Sequence, residues 1–302
     1  MFKSKNGMSR ALVRRETTAG YLFLLPSLFF FVTFVLYPMF LCIYTSFFDS
    51  NMGKNAVDVF VGLGNYKELF QDKLFLGALK NTVLIVVVAV PTVCAFSLWV
   101  ATAIYDMKPA LTSAFRCIFY LPVVTGSVAV TVVWKWMYNS RYGVFNYLFK
   151  SLGIIDQNIN WLGDVRFALW CIILILFTTS VGQPIVLYVS ALGNVDHSLV
   201  EAAEVDGANR RQVFWKIKWA QIMPTTLYIL IITTINSFQC FALIQLLTSG
   251  GPTHSTDTIM YYIYYTAFKL YRYGYGNAMG VVLMVIIAVL SAVQFKLGQR
   301  SD

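Results

Sequence analysis

The side chains able to do chemistry in this 302-residue chain sit in two different settings. The first is neutral and lies inside apolar runs. Thr233, Asn236, Ser237 and Cys240 recur at i, i+3, i+4 and i+7, so a helix would gather them on one face. Thr178, Thr179, Ser180 and Gln183 cluster beside Pro184, and Ser127 adds a hydroxyl in an earlier run. Such groups either tie apolar helices together through hydrogen bonds or line a path for a neutral, hydroxyl-rich solute whose donors and acceptors they match. No arginine lies among them to hold a phosphate or carboxylate. Tyr188, Phe238 and Phe241 are available as aromatic platforms.

The second setting is charged. Residues 196–224 hold four of the 14 acidic and four of the 23 basic residues of the chain, which marks a folded, solvated element between two apolar runs. Ser198 and Glu201 have capping-box spacing and predict a short helix beginning there. Ala202 and Ala203 give that helix a narrow waist, and Gly207 breaks it. A second helical stretch is expected from Ala208, with Val213, Phe214 and Ile217 on one side and Arg210, Arg211 and Lys218 elsewhere around it. Small residues beside an ordered acid let another protein's backbone approach and its arginine reach the carboxylate; a hairpin that only connects two helices could use the same residues.

Catalytic sets are absent from the sequence. There is no GxxxxGK[ST], HExxH or GxSxG, and the two histidines, His197 and His254, fall in opposite loops. The five cysteines lie within apolar runs at wide spacings, without a metal-ligand pattern. The chain is expected to be neither an enzyme nor a metalloprotein.

The elements that must position these groups follow from composition. With 58% hydrophobic and 12% charged residues, the chain holds about half the charge of an average soluble protein. A soluble core of this size could not hide so much apolar surface, and 49 aromatic residues exclude disorder. An integral membrane protein remains. Mid-membrane charge costs a few kcal/mol or more, so spans show as uncharged gaps. Six exist: 17–48, 81–105, 117–134, 167–195, 219–256 and 273–295. The third is barely long enough for a 30 Å hydrocarbon core. The fifth is too long and is cut by Ser249-Gly250-Gly251-Pro252, which ends its span near Leu246 or Leu247.

With the N-terminus inside, inner segments carry 13 of the 23 basic residues and the longer outer segments 10, so that orientation is expected. Both termini are then cytoplasmic. The net charge of +9 chiefly records topology and not nucleic-acid binding. The uncharged run after Lys3, Lys5, Arg10, Arg14 and Arg15 exceeds a signal-peptide core and reads as a retained helix. The expected division is a basic tail over 1–19, a first transmembrane helix over 20–48 and a core of five further spans over 75–296. That core contains the charged loop 196–218.

The string Glu201-Ala202-Ala203-Glu204-Val205-Asp206-Gly207-Ala208, with Phe214, Ile217 and Pro224 after it, resembles the EAA loop of binding-protein-dependent ABC importer permeases. Gly62-Leu63-Gly64-Asn65-Tyr66, Leu246-Leu247-Thr248-Ser249-Gly250-Gly251-Pro252 and Tyr273-Gly274-Tyr275-Gly276 extend the likeness over nearly the whole chain, toward the first permease subunit of carbohydrate importers of the maltose and glycerol-phosphate type. Trp219 departs from that pattern, and only Pro224 remains of two usual prolines.

The resemblance implies an all-α, six-span type I importer permease with cytoplasmic coupling helices. Glu201, Ala202, Ala203, Asp206 and Gly207 would meet an ATPase: Glu201 pairing with a basic residue, the alanines permitting close approach, Gly207 making the bend. It implies a second homologous permease, two ATPase subunits that bind the ATP and magnesium, an extracytoplasmic binding protein and a bacterial or archaeal plasma membrane with its lipid. The span-five face corresponds to the sugar-lining face of such permeases. The cargo would be a sugar or oligosaccharide, with glycerol phosphate or another small polar solute as alternatives. A self-sufficient secondary transporter or channel is the competing class; the lack of charge deep in the spans and of inverted broken-helix repeats speaks against it.

Overall fold

The computed structural model describes residues 10–50 and 58–298, with side chains from Thr17 onward. Residues 1–9 of the basic tail, with Lys3 and Lys5, lie outside the described residues. Helix α1 (Arg10–Phe31) passes through a single π turn, Val32–Leu36, into α2 (Tyr37–Thr45). Pro38 has no N–H for the Phe34 carbonyl, and the backbone widens so that the Tyr37 N–H reaches Val32 O instead. From Thr17 to Thr45 this rod is apolar and largely exposed, as a lipid- or partner-facing helix must be.

A short antiparallel ladder, β1 (Phe48–Asp49) against β2 (Val59–Phe60), follows. Next come α3 (Gly64–Leu69) and α4 (Lys73–Ile104). Buried Asn65, from the Gly-Leu-Gly-Asn-Tyr motif, donates to the carbonyls of Ser46 and Phe48 and so fixes the exit from α2. Asp72 caps α4 by accepting from the N–H groups of Leu74 and Phe75.

Helices α5 (Pro109–Val124) and α6 (Ser127–Met137) are bent by 94° where the sequence predicts one straight span. Thr125 and Gly126 take extended conformations, and Pro122 withholds an N–H from the Ile118 carbonyl just before them. The 16 residues of α5 reach only about 24 Å. Arg116 lies inside α5, half-buried and with a buried Nε that has no partner, so the bundle is less free of charge than the sequence suggests.

After α7 (Val144–Ser151), the fourth span divides into α8 (Ala168–Ser180) and α9 (Gly182–Gly193). The break at Val181 follows from Pro184, which cannot supply an N–H to Ser180 O. Short helices α10 (His197–Val205) and α11 (Arg210–Val213) lead through a π turn, Phe214–Lys218, into α12 (Trp219–Phe238). Trp219 therefore lies in a helix that continues unbroken from α11. α13 (Ala242–Leu247) ends the fifth span where the turn residues predict. α14 (Ile259–Tyr264) and α15 (Tyr273–Gly298) complete the described chain. Among the described residues five helices are long and apolar enough to cross a membrane, and the number is six when the bent α5–α6 pair is counted as one span.

The core sits where α4, α9 and α12 pack together, around Val93, Ile104, Ile185, Tyr188, Ile222 and Ile229. Two sets of loops mark its ends. At one, Asn81 donates to the carbonyls of Ser255 and Asp257, and Arg272 forms a two-pronged ion pair with Glu68. At the other, the Asp196 N–H donates to Gln221 Oε1 and Lys218 Nζ to the Tyr105 hydroxyl.

Asp72 staples the first end: its Oδ2 accepts from Tyr262 and Tyr275, 2.7 and 2.9 Å away. Burial pushes its carboxyl up, but the hydrogen bonds from Tyr262, Tyr275, Leu74 and Phe75 outweigh that and hold it below the ordinary range. A depressed folded-state pKa contributes stability above the unfolded value and loses it as pH falls through the folded one. Asp72→Ala is therefore expected to remove about 1–2 kcal/mol at neutral pH. In thermal unfolding in detergent, the gap between variant and wild type should close as pH drops below about 4.

Candidate functional site

Proline at 184 frees the Ser180 carbonyl and opens the fourth span at the level where α12 and α5 pass it. There a cavity of about 140 Å³ is lined by Thr179, Ser180, Gln183, Tyr228, Thr233 and Asn236. It shares Val123 and Thr179 with a second recess of about 330 Å³ in the crook of the α5–α6 bend, where Ser127, Gln239, Cys240 and Phe241 join them. No charged side chain lines either space. The amides of Gln183 and Asn236 are exposed there and make no hydrogen bond among the described residues.

The structure thus brings together Thr179, Ser180, Gln183, Thr233 and Asn236 in one cavity, with Ser127 and Cys240 in the adjoining recess. Thr178 lines neither and donates back to Ile175 O within its own helix. Ser237 is buried and also lines neither. Cys240 does not continue the helical face of Thr233, because α12 ends at Phe238; its carbonyl accepts instead from Thr258, which caps α14. Of the aromatic candidates, Phe238 is fully buried, Tyr188 packs in the core and Phe241 faces the recess. Tyr228, Thr125 and Gln239 are the polar members that the sequence reading does not name. Gln239 lies past the helix end, where a 3.6-residue repeat has no meaning, and Tyr228 reads as one more apolar-run residue.

At the opposite end of the fourth span, α10 projects from the bundle. Its N-cap is Asp196, not Ser198: Oδ1 accepts from the Ser198 N–H at 2.9 Å and the Ser198 hydroxyl at 2.8 Å. Those bonds hold the Asp196 carboxyl below its ordinary pKa. The Ser198–Glu201 box expected from spacing is absent because Asp196 occupies the cap two residues earlier and takes the serine hydroxyl. A reciprocal box forms instead at α11, between Asn209 and Gln212.

Helix α10 closes in a Schellman turn, with Gly207 N–H donating to Glu204 O and Ala208 N–H to Ala203 O. Gly207 adopts φ +83°, the left-handed conformation that excludes most side chains. Glu201, Ala202, Asp206 and Gly207 are exposed, and Ala203 is half-buried. Val205 is 87% exposed, an apolar side chain presented to water by an ordered helix end. Among the described residues the Glu201 carboxylate has no partner. Val200 and Phe214 pack against the main core, beside residues of α9 and α12.

The histidines lie at opposite ends. His254 pairs with buried Asp257 at 2.7 Å, and burial pushes the Asp257 carboxyl up against the pull of that imidazole. Among the described residues no group of three potential metal ligands converges.

Residues 20–302 match the family model described as binding-protein-dependent transport system inner membrane component. The chain is 33% identical over 288 residues to the probable ABC transporter permease protein YesP of Bacillus subtilis, covering 94% of this chain and 91% of that one. It is 32% identical over 288 residues to the lactose transport system permease protein LacF of Rhizobium radiobacter, covering 94% and 95%. A crystal structure of a bacterial alginate ABC transporter contains a chain that superposes with a TM-score of 0.82 at 24% identity, over 95% of this chain and 96% of that one.

Proposed function

Because the chain belongs to the binding-protein-dependent transport system inner membrane components, we propose that it is the carbohydrate-translocating permease subunit of an ATP-driven importer. The relatives named above are transport permeases, one of them for lactose. The observation that carries the cargo class is the neutral cavity. Gln183 and Asn236 offer unpaired amides, and Thr179, Ser180 and Thr233 add hydroxyls, with no cation among them. Such a lining exchanges hydrogen bonds with a polyol and leaves an anionic group uncompensated. This chain supplies one side of the path; a second homologous permease supplies the other.

The α10 knob is the ATPase contact in this reading. Glu201 meets a basic residue of a nucleotide-binding subunit, Ala202 and Ala203 allow close approach, and Asp206 with Gly207 shapes the turn. Two such ATPase subunits bind ATP and magnesium, and their closure moves α9 and α12 through the core contacts of Val200 and Phe214. The α10 end is then cytoplasmic, with both termini, and the Asp72 end faces the extracytoplasmic binding protein.

The test is ATP-dependent uptake by the assembled complex in proteoliposomes. Gln183→Leu and Asn236→Leu each remove hydrogen bonds from a polar site, a change worth about 1–3 kcal/mol, so uptake at limiting cargo should fall at least about fivefold. Binding-protein-stimulated ATP hydrolysis should persist. Unchanged uptake in both variants overturns the assignment of the path. Uptake driven by an ion gradient in the isolated chain overturns the importer reading itself.

A further inference from the structure

The fifth span breaks where its own residues give it no reason to. α12 ends at Phe238 and α13 begins at Ala242, and the residues between them, Gln239, Cys240 and Phe241, include neither proline nor glycine. A helix that opens without either is commonly opened by a side chain entering its hydrogen-bond ladder. Here that side chain is Thr258, from the turn that precedes α14. Its Oγ1 donates at 2.7 Å to the Cys240 carbonyl, which in an unbroken helix would accept from the Ile244 N–H. The same oxygen accepts from the Tyr261 N–H as the N-cap of α14. Thr258 is fully buried, and its hydroxyl is satisfied in both directions.

Thr258 is anchored in turn from α4. Thr82 Oγ1 accepts from the Ile259 N–H at 3.0 Å and donates to the Ala78 carbonyl, while Asn81 donates to the carbonyls of Ser255 and Asp257. Consecutive residues of α4 thus grip segment 255–259 by its backbone, and Thr258 carries that grip across to the fifth span. What the break presents is a wall of the recess beside the cavity. Residues 239–243 line it without interruption, whereas an intact helix at about 100° per residue would spread five successive side chains right around its axis. Gln239 is exposed there, and its amide makes no hydrogen bond among the described residues.

We propose that Thr258 is a positioning residue for transport, a role that itself rests on the cavity and recess being the cargo path. Through its bond to the Cys240 carbonyl it holds the fifth span open, so that the Gln239 amide and the Phe241 ring stay in the recess wall. Thr258 touches no cargo and acts through residues 239–241. Its hydroxyl is the working group: serine keeps it, and valine keeps the shape without it.

The test follows modification of Cys240 by N-ethylmaleimide, read by mass spectrometry on the assembled complex in nanodiscs, beside uptake by the same complex in proteoliposomes. Cys240 is buried, so its thiol reacts when the break loosens. Thr258→Val leaves the Cys240 carbonyl unpaired, and labelling should quicken at least about fivefold, whereas Thr258→Ser should label close to wild type. Uptake at limiting cargo should fall by a similar factor in the valine variant and return with serine. Combined with Gln239→Leu, Thr258→Val should lower uptake little further than either change alone, because both act on one contact. Thr258→Ala, which also removes the hydroxyl, is read in the same way if the valine chain does not assemble. Labelling at the wild-type rate without the hydroxyl overturns the positioning role. So does a serine variant as impaired as valine, which would place the effect in packing, or a fully additive loss in the double variant, which would place it outside the recess. Reduced uptake in Gln239→Leu with wild-type uptake in Thr258→Val sinks Thr258 alone. Unchanged uptake in both, despite faster labelling, removes the recess from the path and the role of Thr258 with it.

Discussion

Gly207→Val should nearly abolish uptake while leaving the membrane bundle folded. At φ +83° an L residue strains against its own backbone, at roughly 1–2 kcal/mol and more for a β-branched side chain. An added Cβ at Gly207 meets nothing within 4 Å, so the cost is conformational and not a clash inside this chain. The Schellman turn that depends on this conformation is the hinge between α10 and α11. Losing it frees the C-terminal turn of α10, which carries Val205, from α11; the other ties of this helix to the bundle, Val200 and the Asp196 N–H, lie nearer its start. A penalty of that size alone lowers the population of the correct turn about five- to thirtyfold. Misdirected knobs should also leave ATP hydrolysis unresponsive to binding protein. Gly207→Asn is the control, since asparagine tolerates the left-handed region, and it should retain most of the activity. Uptake by the valine variant at the wild-type rate would mean that this turn does not transmit force to the bundle.

The sequence made the spans legible because the membrane penalises charge so heavily that uncharged gaps outline them, and the knob legible because eight charges between two apolar runs have only a solvated explanation. What escaped was decided by neutral residues and by competition between neighbours. Thr125-Gly126 turns the chain by 94° without altering hydropathy, so the third span read as straight. Asp196 and Ser198 are both good caps, and spacing favoured the serine that the aspartate then captured. On α12, Thr233 and Asn236 share the cavity, whereas Ser237 is buried outside it and Cys240 lies past the helix end at Phe238. The ordered loop between α6 and α8 had no signal at all. Its order comes from one buried amide joining segments 13 to 15 residues apart, together with a ring cluster that has no period.

Gly182 is the other position where a small change should have a large effect, here through the path itself. A Cβ at Gly182 would sit 2.3 Å from the Phe119 carbonyl oxygen and 2.8 Å from Val123 Cγ2. The methyl of Val123 can turn aside, but the Phe119 oxygen belongs to the α5 backbone and cannot yield alone. Gly182→Ala must therefore separate α5 from α9 by something near 1 Å, and overpacking of that kind costs about 1–3 kcal/mol. The same two helices carry Val123, Gln183 and Leu187 of the cavity wall, so the displacement falls on the lining. Uptake should fall at least about tenfold for alanine and be lost for valine, with a lower thermal midpoint in detergent. Gly193, at the far end of α9, has nothing within 4 Å of an added Cβ. Gly193→Ala should transport and unfold like wild type, which separates the close approach at Gly182 from any general effect of replacing glycine in this helix. If Gly182→Ala proved equally silent, α5 and α9 would have to slide freely past one another, and the cavity between them would be no fixed feature of the path.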